Sequence, residues 1–111
     1  MSDTPTFQDF EALGLQAGTI VRAEPNDGAR DPSYRLWIDL GGDDPVQSSA
    51  KLTELYVPEQ LVGRQVVVAT GFAPLRVGGF RSDVLLLGVL TDEGVVLLRP
   101  DDPVPPGATV A

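Results

Sequence analysis

The side chains able to do chemistry in this 111-residue chain are carboxylates, hydroxyls and arginines, because histidine and cysteine are both absent. Their absence excludes zinc fingers, disulfides and nucleophilic catalysis by Ser-His-Asp or Cys-His sets. Sixteen Asp and Glu residues are present. No pair of them has a spacing that indicates a catalytic acid and base, and Asp43 with Asp44 fits a β-turn. The sequence therefore predicts no catalytic residue, metal site, cofactor or enzyme activity.

The charge of the chain is negative overall but unevenly placed. Sixteen acids oppose eight bases, which gives a net charge of −8. Residues 1–44 carry −6 and residues 89–111 carry −3, whereas residues 45–88 carry +1. Binding to phosphate groups depends on Lys and Arg. The overall charge therefore disfavours nucleic acid as a ligand without excluding the central segment from binding it.

Two groups of aromatic and basic residues are candidate ligand contacts. Trp37 lies on the polar face of a predicted strand, where it either packs under a helix or loop or forms a stacking platform for a base or an apolar peptide side chain. The segment FAPLRVGGFR is predicted to be a ten-residue loop, residues 72–81. Its Arg76 and Arg81 lie close in sequence to Phe80. These residues either bind phosphates and bases, or the glycines only form a turn while the Phe side chains enter the core.

A polar run in the middle of the chain is the third candidate. In QSSAK, the hydroxyls of Ser48 and Ser49 and the charge of Lys51 are able to bind phosphate or peptide carbonyl groups. Serine hydroxyls equally often satisfy nearby backbone groups. The residues alone leave both alternatives open.

The elements that must position these residues are short strands. Strand patterns occupy residues 18–24, 33–40, 46–50, 64–70, 83–90 and 95–98, with turn residues between them. A short helix is expected within residues 53–61, and another after Thr6, which Asp9 can cap. This order favours an all-β, five-stranded Greek-key barrel of the oligonucleotide/oligosaccharide-binding (OB) type, with short flanking helices and extra terminal strands.

The first ten residues lack the apolar core of a signal peptide, and the apolar run 84–90 is too short to span a membrane. We therefore expect a cytoplasmic protein without membrane insertion. The length predicts one domain, residues 1–111, with its core at about 9–110.

Several motifs together resemble the tRNA-binding-domain family of OB folds, and within it the CsaA export-related chaperones. They are AR-x-P, L-x-I-D, QSSA, the loop ending in GF-x-S, and the tail PD-x-PVP, in that order. The resemblance implies an OB barrel that forms a homodimer and binds tRNA, preprotein segments or both. It implies binding roles for Ser48, Ser49, Arg76, Phe80 and Ser82.

The chain departs from the family at the loop, where Gly71 and Leu75 replace the usual asparagine and one arginine. Two hypotheses follow. The first is a CsaA-like homodimeric chaperone for unfolded or preprotein peptides that has tRNA as a further candidate ligand. The alternative is a structure-specific tRNA-binding module that uses Lys51, Arg64, Arg76 and Arg81 as one patch.

Overall fold

A computed structural model describes residues 3–111 and begins with a short helix, α1 (Phe7–Ala12). The Oγ1 of Thr6 accepts from the backbone N of Asp9 at 3.3 Å, and the Thr6 backbone N donates to Asp9 Oδ2 at 2.8 Å. This reciprocal pair is the predicted capping box, which satisfies two N–H groups at the helix start. Residues 1 and 2, which belong to the predicted domain and its N-terminal stretch, lie outside the described residues.

The main sheet has five antiparallel strands: β1 (Leu15–Pro25), β2 (Tyr34–Asp39), β3 (Val46–Ala50), β4 (Gln65–Ala69) and β7 (Leu85–Leu86). They lie in the order β3-β2-β1-β4-β7. A second short helix, α2 (Pro58–Leu61), connects β3 to β4 and has proline in its first turn, where the missing N–H is tolerated. The result is the predicted OB-type barrel.

Strand β2 shows why the sheet has one buried face. Its residues alternate between buried and half-buried along Tyr34–Asp39, as the period of two predicts. Leu36 and Ile38 are completely buried. They pack with residues of β1, β4 and α2, including Ile20, Val66 and Leu61, in one apolar core.

The sheet closes towards a barrel where β3 meets the chain around residue 83. The backbone N of Asp83 donates to Gln47 O at 2.7 Å. The Ser48 hydroxyl donates to Val84 O at 2.8 Å. Closure therefore uses polar groups of the QSSA segment as well as backbone pairing.

The predicted ten-residue loop 72–81 is wrong in part, because the structure has a β-hairpin there. Strands β5 (Leu75–Val77) and β6 (Phe80–Ser82) pair antiparallel. Gly78 and Gly79 connect them with φ values of 59° and 80°, and two residues with positive φ are what a tight hairpin turn requires. The short arms and paired glycines explain why the pattern indicated a loop.

The predicted strand 83–90 is divided into two. After β7 pairs with β4, Leu87 N still donates to Val67 O of β4 at 2.9 Å. From the next residue, β8 (Gly88–Thr91) pairs instead with β9 (Gly94–Leu97). The β8–β9 hairpin is the predicted pair of strands around the turn TDEG.

The proline-rich tail lies along β1. The backbone N of Ala17 donates to Ala108 O at 2.9 Å, and Gly107 N donates to Ala17 O at 2.7 Å. The side chain of Gln65 binds the backbone of Val104 at both ends, with distances of 2.7 and 2.9 Å. The tail is therefore part of the domain. Over residues 3–111, no helix has the length and apolar character needed to cross a membrane.

Candidate functional site

A bulge in β1 places an arginine beside the tryptophan of β2. The register runs Ile20↔Ile38 and then Arg22↔Trp37, so one residue of β1 is extra at Val21. Without the bulge, Arg22 would share the core-facing side of Ile20, because residues two apart point the same way. The bulge turns Arg22 to the outer face of the sheet.

Four side chains from β1, β2 and β6 pack against one another in a row, here called the aromatic face, in which Phe80 is buried and Trp37 is half-buried. The guanidinium carbon of Arg22 lies 4.3 Å from the centre of the Trp37 ring. Trp37 meets Phe80 edge to face, with 5.3 Å between ring centres. On the other side, the Arg35 guanidinium carbon lies 5.3 Å from the Phe80 ring centre. The half-buried Trp37 thus packs between an arginine and the hairpin, and the face combines cations with aromatic surface.

Asn26 holds the aromatic face in position, although no sequence pattern predicted this role. It is buried. Its Nδ2 donates to Ser49 Oγ at 3.2 Å and to Val77 O at 3.0 Å, and its Oδ1 accepts from Arg35 Nε at 3.1 Å. One amide therefore ties β2, β3 and the β5–β6 hairpin together. The only sequence signal was that this is the sole asparagine of the chain.

The three predicted serines satisfy groups within the barrel. Ser48 is 1% exposed, so its hydroxyl is not accessible to a ligand. The structure therefore does not support a direct binding role for Ser48. Ser82 Oγ accepts from the backbone N of Ser49 at 3.1 Å. Ser49 and Ser82 are half-buried. The QSSA motif thus closes the barrel at the edge of the aromatic face.

The predicted basic residues do not form one free patch. Lys51 pairs with Asp31 at 2.9 Å, and Arg81 pairs with Asp83 at 2.7 Å. Arg76 donates to Gly79 O within its own hairpin at 3.1 Å. Arg64 lines a different groove, which lies between α2 and the tail. The exposed Lys51–Asp31 pair contributes little stability, so a ligand can displace it. Asp83, in contrast, is only 21% exposed and also accepts from Gln47 N. Two of the four predicted charges are therefore compensated.

An apolar groove lies beside the hairpin. Exposed Leu75, Phe72 and Leu85 border it, with exposed fractions of 69%, 51% and 52%. Its volume is about 280 Å³. This set of residues, here called the hairpin groove, consists of Phe72, Ala73, Leu75, Ser82, Asp83, Val84 and Leu85.

The described residues include no group of three or more His, Cys, Asp or Glu side chains arranged to hold a metal ion. The candidate surfaces present aromatic rings, arginine side chains and exposed apolar side chains. These groups are suited to binding a ligand.

Comparison with known proteins decides the family. Residues 15–109 match the family model of the putative tRNA binding domain. The crystal structure of the chaperone CsaA from Bacillus anthracis is 44% identical in sequence, with a TM-score of 0.88. The match covers 97% of this chain and 99% of that one. The chain belongs to the CsaA family within the tRNA-binding domains.

Other members of this broader domain family differ in how much of their length the chain covers. The CsaA chaperone of Picrophilus torridus is 32% identical, with a TM-score of 0.90 and coverage of 97% and 100% of the two chains. The methionine–tRNA ligase of Methanothrix thermoacetophila is 39% identical over 104 residues, which are 94% of this chain. The chain spans only 15% of that enzyme. The CsaA proteins thus match it over their whole length, and the ligase matches it as one part.

Proposed function

We propose that the chain is a CsaA-like homodimeric binding protein of the cytoplasm that holds unfolded or preprotein segments. The hairpin groove carries this proposal. Burial of apolar surface is the main favourable contribution to protein association, and Leu75 and Phe72 present such surface to solvent. The full-length similarity to two CsaA chaperones supports the same function.

The charge of the whole chain favours basic peptides as ligands, because it is −8. Asp83, the one carboxylate that lines the groove, is already paired with Arg81. Signal peptides combine a positively charged start with an apolar segment. A peptide of that kind matches the apolar wall through its apolar segment, and its basic start is attracted by the net negative charge of the whole chain.

Self-association is proposed through the β8–β9 hairpin. It exposes a set of apolar side chains, here called the apolar ribbon: Val89, Leu90, Val96 and Leu98. Leu90 is 85% exposed. Val89 and Val96 are cross-strand partners, and Leu90 extends the exposed apolar surface on the opposite face of the hairpin. Exposed apolar surface of this kind is typical of an interface between proteins.

The peptide function is tested with a variant of the groove. Leu75→Ser should weaken the binding of a labelled basic apolar peptide and reduce suppression of aggregation of an unfolded client. Val62→Ser is the matched control, because Val62 is also exposed, by 51%, and lies outside the hairpin groove. A wild-type protein that neither binds the peptide nor slows aggregation would contradict the proposal.

A second candidate function is binding of structured RNA, and the stacking of Arg22 on Trp37 favours it. A base stacked on an aromatic side chain contributes about 1–3 kcal/mol. Trp37 is the single tryptophan of the chain, so RNA on the aromatic face should quench its fluorescence. Titration of tRNA at two salt concentrations should then show weaker binding at high salt.

Variants of the aromatic face and the hairpin separate the two functions. Trp37→Leu and Arg76→Ala should weaken tRNA binding, and Arg30→Gln is the control because Arg30 is an exposed arginine outside both surfaces. Absence of tRNA binding at low salt would exclude this second function and leave the peptide function untouched.

A further inference from the structure

A third surface carries two arginines, Arg64 and Arg99, that lie outside the hairpin groove and the aromatic face. The groove between the end of α2 and the segment after β9 has a volume of about 490 Å³. Arg64 lines it from the start of β4, and Arg99 lines it from the tail side. Gln65 and Pro103 also line this surface, here called the arginine groove.

The guanidinium of Arg64 is positioned by the fold. It lies over the Tyr56 ring, with 5.2 Å from its central carbon to the ring centre. Tyr56 is itself fixed, because its hydroxyl accepts from Leu97 N at 3.0 Å and its carbonyl accepts from the Tyr34 hydroxyl at 2.7 Å. The side chain of Arg64 is therefore preorganised, which lowers the entropic cost of binding a ligand.

Neither arginine has protein partners for all of its N–H donors. In the described chain, Arg64 Nε is a buried nitrogen without a hydrogen-bond partner. Leaving such a donor unpaired is unfavourable. No ion pair within residues 3–111 involves Arg64 or Arg99, although Asp101 also lines the groove.

The opposite wall is held rigidly by the tail. The amide of Gln65 binds both the N–H and the carbonyl of Val104. Prolines at 100 and 103 further restrict the backbone on that side. Two guanidinium groups thus line a groove whose walls are preformed.

We propose that the arginine groove binds a phosphate group. The planar guanidinium presents several N–H donors in the geometry that phosphate oxygens accept, and two of them supply compensating charge. The phosphate would come either from a free phosphate or from the backbone of a bound RNA. With a free phosphate as ligand, the site does not depend on the functions proposed above, because the groove is built from other residues. With an RNA phosphate as ligand, it rests on the RNA function.

The first probe is inorganic phosphate. Its binding is measured by NMR of the backbone amides, with the ionic strength held constant by chloride. We expect saturable shifts at Gly63, Arg64, Gln65 and Arg99. Arg99→Gln should weaken phosphate binding about tenfold, because a hydrogen bond to a charged group is lost. Arg99 is exposed and forms no ion pair within residues 3–111, so this variant should fold normally even if Arg64→Gln does not.

Arg30→Gln is the matched control, since it removes one exposed arginine elsewhere. The proposal is overturned if phosphate causes no saturable shift at these amides, or if Arg30→Gln weakens binding as much as Arg99→Gln. RNA titrations with Arg99→Gln identify the source of the phosphate. A salt slope lowered by about one unit indicates an RNA phosphate, and an unchanged slope indicates free phosphate; both support the site.

Discussion

Asn26 joins three separate stretches of chain through one buried amide. Its bonds reach Ser49, Val77 and Arg35, which lie 23, 51 and 9 residues away. Asn26→Ala would leave the Val77 carbonyl and the Arg35 Nε without this partner. We expect a loss of about 1–3 kcal/mol in the free energy of unfolding, measured by urea denaturation.

Gln8→Ala is the control for Asn26, because Gln8 is an exposed polar residue of α1 and its truncation should change stability little. The Asn26 variant should also weaken the Trp37 to Phe80 contact, which near-ultraviolet circular dichroism detects. Equal stability of the two variants would show that the amide does not connect the hairpin to the sheet.

The positions of the side chains in the aromatic face were only partly predictable from the sequence. The period of two placed Trp37 and Arg35 on the outer face of β2, as the structure confirms. Arg22 was not predicted beside Trp37, because regular alternation from Ile20 would direct it inward and only the bulge reverses this. Asn26 was missed because its partners are distant in sequence, and no local pattern records them.

The β5–β6 hairpin depends on two glycines in different surroundings. A Cβ on Gly78 would lie 2.2 Å from the carbonyl carbon of Gly28, whereas a Cβ on Gly79 would meet nothing within 4 Å. Both residues have positive φ, which costs about 1–2 kcal/mol for other residues. Gly79→Ala should therefore show this cost alone.

Gly78→Ala should destabilise the protein by about 1–3 kcal/mol more than Gly79→Ala, because the new methyl group overpacks a backbone contact. Differential scanning calorimetry of the two variants measures the difference. If the two substitutions lower the melting temperature equally, the hairpin does not pack against the loop at Gly28 as described.

In the tail, the side chain of Gln65 makes the two backbone hydrogen bonds that a neighbouring strand would otherwise make. Gln65 binds the backbone of Val104 from β4, and its Nε2 also donates to Thr19 Oγ1 at 3.2 Å. Gln65→Ala should release the tail, so hydrogen exchange should accelerate at Gly107 and Val110, whose N–H groups bond to β1. Unchanged protection there would show that β1 alone holds the tail.

At the scale of elements, the barrel was predictable and its closure was not. Strand alternation and turn residues indicated the sheet, whereas the hairpin inside 72–81 has arms of only three residues. The residues of the QSSA segment were predicted either to bind a ligand or to satisfy nearby backbone groups. In the structure Ser48 faces Val84 across the closing edge, a long-range contact that a local pattern does not record.

The whole molecule combines a strong negative charge with exposed apolar surface. A net charge of −8 on each chain opposes association of two copies, whereas the apolar ribbon favours it. Salt screens the first contribution and leaves the second nearly unchanged. Dimerisation should therefore strengthen with salt, while tRNA or phosphate binding should weaken.

The opposite effects of salt on charge repulsion and apolar contact provide a test of the proposed homodimer. The dissociation constant of the wild-type dimer, measured by analytical ultracentrifugation, should fall several-fold between about 0.05 M and 0.5 M sodium chloride, as the screening length shortens from above 10 Å to about 4 Å. Leu90→Glu places a charge in the apolar ribbon and should give a monomer at both concentrations. Its fold should be unaffected because Leu90 is exposed. Val62→Glu, exposed at the end of α2, should remain dimeric, and a dimeric Leu90→Glu would place the interface on another surface.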